Sequence, residues 1–331
     1  MTVLRPACPV AYRYQPDDLA GPPAFTCTTL YVVGGMYGNL YALDAVEARA
    51  SAEPIPPEIV FNGDFHYLDT DAAVFQAVDD RVRAHHATQG NIEYALAAGD
   101  DALGCGCDYP GYVPDTIVAD SNAVVATLRA ATAAAVDRSW LAGLPRYHTV
   151  AVGGHRVGIV HGDPENLAGW RLALEAVEPQ QPDIRDRTGF AGTPTTAGQV
   201  LDWFRRADVE VLCCTHTGLP YAQDFPHPRG RCLVANNGCA GLPSFAGRRH
   251  GVLTRLSVLP GVPGDSLYGL ATAGLRFDAL PVGYDHSRWV AGFLDAWPPG
   301  SPARRGYQHR IERGTWLTPG HAARGTVTGS A

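Results

Sequence analysis

The sequence contains no apolar run near the roughly 18 residues a helix needs to cross a bilayer, so no membrane-spanning helix is read from it. It shows no basic stretch followed by an apolar one near its start, so no signal peptide is read there and a cytoplasmic location is expected. It has no block of Lys and Arg. With a net charge of −7 and a pI near 5.9, attraction to nucleic acid is excluded as the basis of its function. It has no Cys-x-x-Cys pair. Its eight cysteines, in a long chain without a secretion signal, are expected as thiols rather than as disulfides or a zinc knuckle. Internal repeats are absent. Charged residues make up only 18% against 46% hydrophobic, which excludes a disordered chain. What remains is a globular chain of 331 residues, long enough to bury a full core in one α/β domain with or without appendages.

Chemistry-bearing residues collect where short apolar runs end. Val211 to Pro220 is an apolar strand running into Cys214, Thr215 and His216, then a Gly-Pro turn. Open α/β sheets place their chemistry at the carboxyl ends of strands. Three further segments share this character: Phe61 to His66 with Asp64, Gly90 to Glu93 with Asn91, and Val157 to Asp163 with His161. Together they offer Asp, Asn, two His and Cys, a ligand set for a hard-to-borderline metal.

Residues 1–27, rich in Pro, Tyr and Asp, read as an irregular arm, and residues 298–331 as a Pro/Gly/Arg-rich tail that ends disordered. Between them, strands are expected at 28–33, 59–61, 148–152, 156–160, 210–213, 231–234 and 252–258, with a hairpin over 267–280. Helices are expected at 40–50, with Asn39 as its cap, and at 72–86, 91–98, 121–144, 167–176 and 196–206. The apolar segment 284–296 could dock a second copy of the chain, so a homodimer is an open alternative. Strand–helix alternation early and β-rich sequence late suggest one sandwich core.

In this order the segments resemble the calcineurin-like metallophosphoesterase superfamily, over roughly residues 28–285. The family pattern is Asp-x-His-Gly-Asn, Gly-Asp, Gly-Asn-His-Asp/Glu, His, and Gly-His-Thr-His. The match is that of a divergent bacterial-type member with an altered metal site. The resemblance implies a four-layer α/β/β/α sandwich in residues 28–297. It also implies metal-assisted cleavage of phosphate mono- or diesters in a site that holds two ions. Carried over by position, Asp64 matches the carboxylate that bridges two metals, Asn91 the amide ligand, and His161 the middle histidine. His216 matches the second histidine of the last motif, with Cys214 standing for the first. Gly35 and Tyr37 stand where the family has Asp and His ligands, and Ile92 where it has the catalytic His; Glu93 keeps the acidic position.

Three functions follow as alternatives. In the first, Asp64, Asn91, His161, His216 and Cys214 hold one or two divalent transition metals (Fe, Mn or Zn), and the chain is a phosphatase acting on a phosphorylated small molecule. His66, Glu93 or Tyr37 then serves in place of the missing catalytic histidine. Proton transfer contributes about 10²–10⁴-fold, so its loss slows such a reaction without forbidding it. In the second, the cysteines support redox or thiol chemistry on the same scaffold. In the third, the chain binds a ligand without catalysis.

Overall fold

The computed structural model describes residues 9–227, 230–272, 274–325 and 327–328. The strands run β1 (Thr26–Cys27), β2 (Thr29–Val33), β3 (Glu58–Asn62), β4 (His86–Thr88), β5 (Tyr147–Val152), β6 (His155–Val160), β7 (Val211–Cys214), β8 (Tyr221–His227), β9 (Gly230–Asn236), β10 (Gly251–Ser257), β11 (Tyr268–Thr272), β12 (Leu275–Val282), β13 (Ala323–Arg324) and β14 (Val327–Thr328). The helices are α1 (Leu40–Ser51), α2 (Ala72–Val82), α3 (Asn91–Ala98), α4 (Asp115–Thr132), α5 (Arg138–Gly143), α6 (Pro182–Thr188), α7 (Ala197–Ala207), α8 (His286–Ala296), α9 (Pro302–Arg313) and α10 (Pro319–Ala322). One sheet has the order β1-β5-β6-β7-β9-β8-β13 and the other β14-β11-β12-β10-β2-β3-β4.

Strand β2 shows how the layers form. All five of its residues are buried, so the strand is covered on both faces. Leu30 and Val32 join a core that includes Ile159, Leu212 and Val234 of the first sheet. Tyr31 and Val33 join a second core with Val46 of α1, Phe75 of α2 and Phe293 of α8. The two-residue period of a strand thus sends alternate side chains toward the facing sheet and toward the helices. The α/β/β/α sandwich expected from the sequence is the architecture observed.

Four local expectations are corrected. The arm is folded in: Tyr12 and Leu19 are fully buried in the first core. The tail forms α9, whose Ile311 is fully buried in the second. Residues 121–144 divide into α4 and α5, because the Asp137 side chain accepts the Trp140 N–H and starts a new helix. Residues 167–176 are not helical. Their carbonyls are taken by distant donors instead: Tyr221 Oη to Leu172 (3.0 Å), Thr195 Oγ1 to Arg171 (2.7 Å) and Arg324 Nη1 to Leu174 (2.9 Å). Among the described residues no helix is long and apolar enough to cross a membrane.

The topology fixes where chemistry can occur. β3 and β4 are parallel neighbours in one sheet, and β6 and β7 in the other. The loops leaving their carboxyl ends carry Asp64, Asn91, His161 and His216. Asn62 ties the pairs together across the sandwich: its Nδ2 donates to Val160 O (2.9 Å) and its Oδ1 accepts from Thr88 Oγ1 (2.9 Å). Gly63 between them has φ +74°, and a Cβ there would lie 2.6 Å from both the Gly90 Cα and His161 Nδ1, so glycine is required.

Candidate metal centre

One ligand atom each from Asp64, His161 and His216 lies within 4.8 Å of the others. His161 Nε2 is 3.4 Å from Asp64 Oδ2, 3.1 Å from Asn91 Oδ1 and 3.3 Å from His216 Nδ1. Asp64 and His161 are buried, whereas His216 is partly exposed, so the group opens to solvent on the His216 side.

The hydrogen bonds behind these atoms decide what they can bind. His161 Nδ1 lies 2.8 Å from the Asn62 carbonyl, which can only accept, so Nδ1 carries the proton and Nε2 presents a lone pair. His216 Nε2 lies 3.0 Å from the Cys107 carbonyl, so its Nδ1 presents a lone pair in the same way. Asn91 Nδ2 donates to the Cys105 carbonyl (2.9 Å), turning Oδ1 inward. With both rings neutral, two imidazole lone pairs, an amide oxygen and a carboxylate oxygen face one another with no hydrogen between the rings. Such a set is stable around a cation. Ligand atoms 2.0–2.1 Å from a tetrahedral ion would be roughly 3.3 Å apart. The three spacings to His161 Nε2 match, and carbonyl-pinned histidines are the usual second layer of a metal site. The residues present fit one divalent transition metal.

A cation would compete with a proton at His161 Nε2. Burial would raise Asp64, but charge on His161, helped by His216, outweighs it and holds the carboxyl below its ordinary range, and Asp64 in turn raises His161 despite its burial. Burial and the neighbouring His161 ring push His216 down to about 4, which keeps it neutral and able to coordinate.

Glu93 does not face this group. Its carboxylate accepts from the backbone N–H groups of Asp64 (2.7 Å), Gly90 (2.9 Å) and Phe65 (3.1 Å). It clamps the loop that holds Asp64 at φ 54°, so it acts as a positioning residue rather than as a proton carrier. His66 is likewise corrected as an acid–base residue. It is fully buried, with Nδ1 2.6 Å from Asp69 and Nε2 2.8 Å from Asp79, so neither nitrogen is free. Cys214 is corrected as a ligand. It is fully enclosed in the first core, burial drives its thiol well above the usual range, and it is not among the converging atoms. Cys214→Ala is expected to leave the metal content per chain unchanged in elemental analysis, and loss of the ion would return the cysteine to the site. Every other thiol among the described residues also stands outside the triad.

Of the pair Cys214 and His216, only His216 reaches the cluster. Gly35, Tyr37 and Gly218 lie close together in space. A Cβ on Gly35 would lie 2.7 Å from the Tyr37 ring. A Cβ on Gly218 would lie 2.8 Å from Cys239 Sγ, 3.5 Å from Arg310 Nη1 and 3.6 Å from Tyr37 Oη. Tyr37, Cys239 and Arg310 thus fill the place beside the ligand cluster. Tyr37 is buried there against the rings of Tyr67 and Tyr307, and burial keeps its phenol well above the ordinary pKa.

Sequence reasoning missed Arg310, Cys239 and the Cys107 carbonyl. A signal for the first existed: Ser301-Pro302 and Gly314 bracket a helix by the Ser cap, Pro start and Gly stop.

No family model matches the sequence, and no curated protein matches it. Solved structures share the fold, among them the following two. A metallophosphoesterase of Sphaerobacter thermophilus is 14% identical with a TM-score of 0.52, over 87% of this chain and all of that one. A hypothetical protein of Pyrococcus horikoshii OT3 is 19% identical with a TM-score of 0.52, over 87% of this chain and 99% of that one. The chain therefore has the metallophosphoesterase fold.

Proposed function

We propose that this chain, built on the metallophosphoesterase fold, is a phosphoesterase that works with a single divalent transition metal. The observation that carries the reading is the set of four acceptor atoms, from Asp64, Asn91, His161 and His216, converging with both histidines pinned in the coordinating tautomer. Zn, Mn or Fe suits these donors. When bound, such an ion lowers the pKa of a water and polarises a phosphoryl oxygen.

The chain's own residues set the geometry. Glu93 fixes the Asp64 loop, and the Cys105 and Cys107 carbonyls orient Asn91 and His216. Trp170 Nε1 donates to the Cys107 carbonyl (2.9 Å), and its ring meets the His216 ring edge-on at 5.5 Å, which walls the centre on one side. None of the residues first considered for general acid–base catalysis offers a free proton-carrying nitrogen or carboxylate to the centre. The reading therefore relies on orientation and charge more than on a protein acid.

The test is metal analysis of protein prepared without chelator, followed by hydrolysis of a chromogenic phosphomonoester and a chromogenic phosphodiester. The expected result is one ion per chain and turnover that is lost on chelation and restored by the ion. A metal-loaded protein inert to both esters would defeat the reading in favour of ligand binding without catalysis.

A further inference from the structure

Beside the ligand cluster the protein carries a cation of its own. Arg310, on α9, reaches in among Gly218, Cys239 and Pro243. Its Nη2 donates to the Gly218 carbonyl (2.8 Å) and to Cys239 Sγ (3.2 Å), and its Nε donates to the Pro243 carbonyl (3.2 Å). These contacts hold the guanidinium by one edge. Nη1 makes no hydrogen bond among the described residues, although it is the nitrogen nearest the side-chain direction of Gly218. Arg310 is partly exposed, as is His216, two residues before Gly218.

The charge is also unmatched. Among the described residues no carboxylate lies within ion-pair distance of Arg310, whereas Arg255, Arg81 and Arg276 each sit on one or two acids. Its partners are two carbonyls and a thiol. A half-buried cation without an anion carries a desolvation cost that a bound anion removes. Arginine is the side chain best shaped to take phosphoryl oxygens.

We infer that Arg310 is an anion-binding residue that replaces a second metal ion, with its free Nη1 taking a phosphoryl oxygen of the substrate held at the Asp64–His161–His216 centre. Tyr37 stands next to it: Cys239 Sγ lies 3.6 Å from the Tyr37 oxygen and 3.5 Å from the Gly218 carbonyl, and its single proton serves one of the two. The inference rests on the phosphoesterase reading for the nature of the substrate, but not for the presence of the anion site.

Orthophosphate is the probe, titrated calorimetrically into the wild type, Arg310→Gln and Arg310→Lys, each with and without bound Zn or Mn. One charge-assisted hydrogen bond predicts at least about a tenfold weakening in Arg310→Gln. The loss in Arg310→Lys should be smaller, since the charge stays and the fork goes. Metal content should be one ion per chain in all three, with melting temperature as the check that the variants fold. Should Arg310→Gln unfold, the comparison of Arg310→Lys with the wild type decides the matter. Equal phosphate affinity in wild type and variants, no phosphate binding by the wild type, or two ions per chain would each overturn the inference. A wild type that binds phosphate through Arg310 but no metal would uphold it while refuting the phosphoesterase reading.

Discussion

Asp64→Asn should cost the protein its metal ion. The replacement keeps the size of the side chain and its tolerance of the left-handed backbone, so the φ of 54° at this position remains affordable only by the same Glu93 clamp. What disappears is the one negative charge among the four converging donors. Changing an outer partner of a ligand typically weakens a metal about 10–100-fold, and removing the only anionic ligand should exceed the upper end of that range. Competition titration against a chromogenic chelator would measure it, with elemental analysis after dialysis as confirmation. An unchanged stoichiometry and affinity in Asp64→Asn would mean that the ion sits elsewhere. Phosphoester turnover should fall with metal occupancy, and excess ion should restore part of it.

His66→Leu should have the largest effect on stability. The His66 ring stacks on Phe75 with centroids 3.6 Å apart and joins two buried carboxylates, Asp69 and Asp79. Replacing it with an apolar side chain leaves Asp69 without its cation and Asp79 with only Arg83, 3.8 Å away. Breaking a buried ion pair in this way costs about 3–5 kcal/mol, read as a lowered urea midpoint at pH 7. The pH dependence has a definite sign. Burial would depress the imidazole, but the two carboxylates override it and raise its pKa to about 9. The unfolded value is about 6.5, so the stabilisation is complete below that pH and is lost as pH climbs through 9. Wild-type protein should therefore lose stability over this window, and the variant should lack that component. Parallel pH profiles would show that the ring is neutral in the fold. Metal content should survive in the variant, because no atom of His66 belongs to the converging set.

Much of the fold was legible because its signals are local. The apolar runs that became β3, β6 and β7 are short, and their ends are where Asp64, His161 and His216 gather; β4, which leads to Asn91, was not legible because His86 reads as the end of the preceding helix. The role of Cys214 was not legible, for a definite reason. Strand parity would put residues 214 and 216 on one side, but β7 stops at Cys214. The N–H groups of Thr215 and His216 both turn to the His161 carbonyl (2.9 Å each), which breaks the alternation. The role of His66 depends on Asp79, thirteen residues away and brought alongside only when α2 docks. The carbonyls of Cys105 and Cys107 are backbone groups, and no reading of side-chain types could find them. Arg310 lies far along the chain from every strand end it accompanies, in a segment whose Pro, Gly and Arg content masked a capped helix.

Strand β2 has β3 on one side and β10 on the other, with Thr29 opposite Ser257 and Val32 opposite Thr254. The ribosome makes these partners more than two hundred residues apart. At about 5–20 residues per second, roughly 10–45 s of translation separates them. During that interval one flank of β2 has no strand to pair with, and the sequence on it, Leu-Tyr-Val-Val, is the kind that recruits other chains. The same long-range pairing that completes the second sheet thus makes the nascent polypeptide dependent on something that shelters exposed strands. Yield during expression should respond to chaperone supply and to slower growth temperature before it responds to metal.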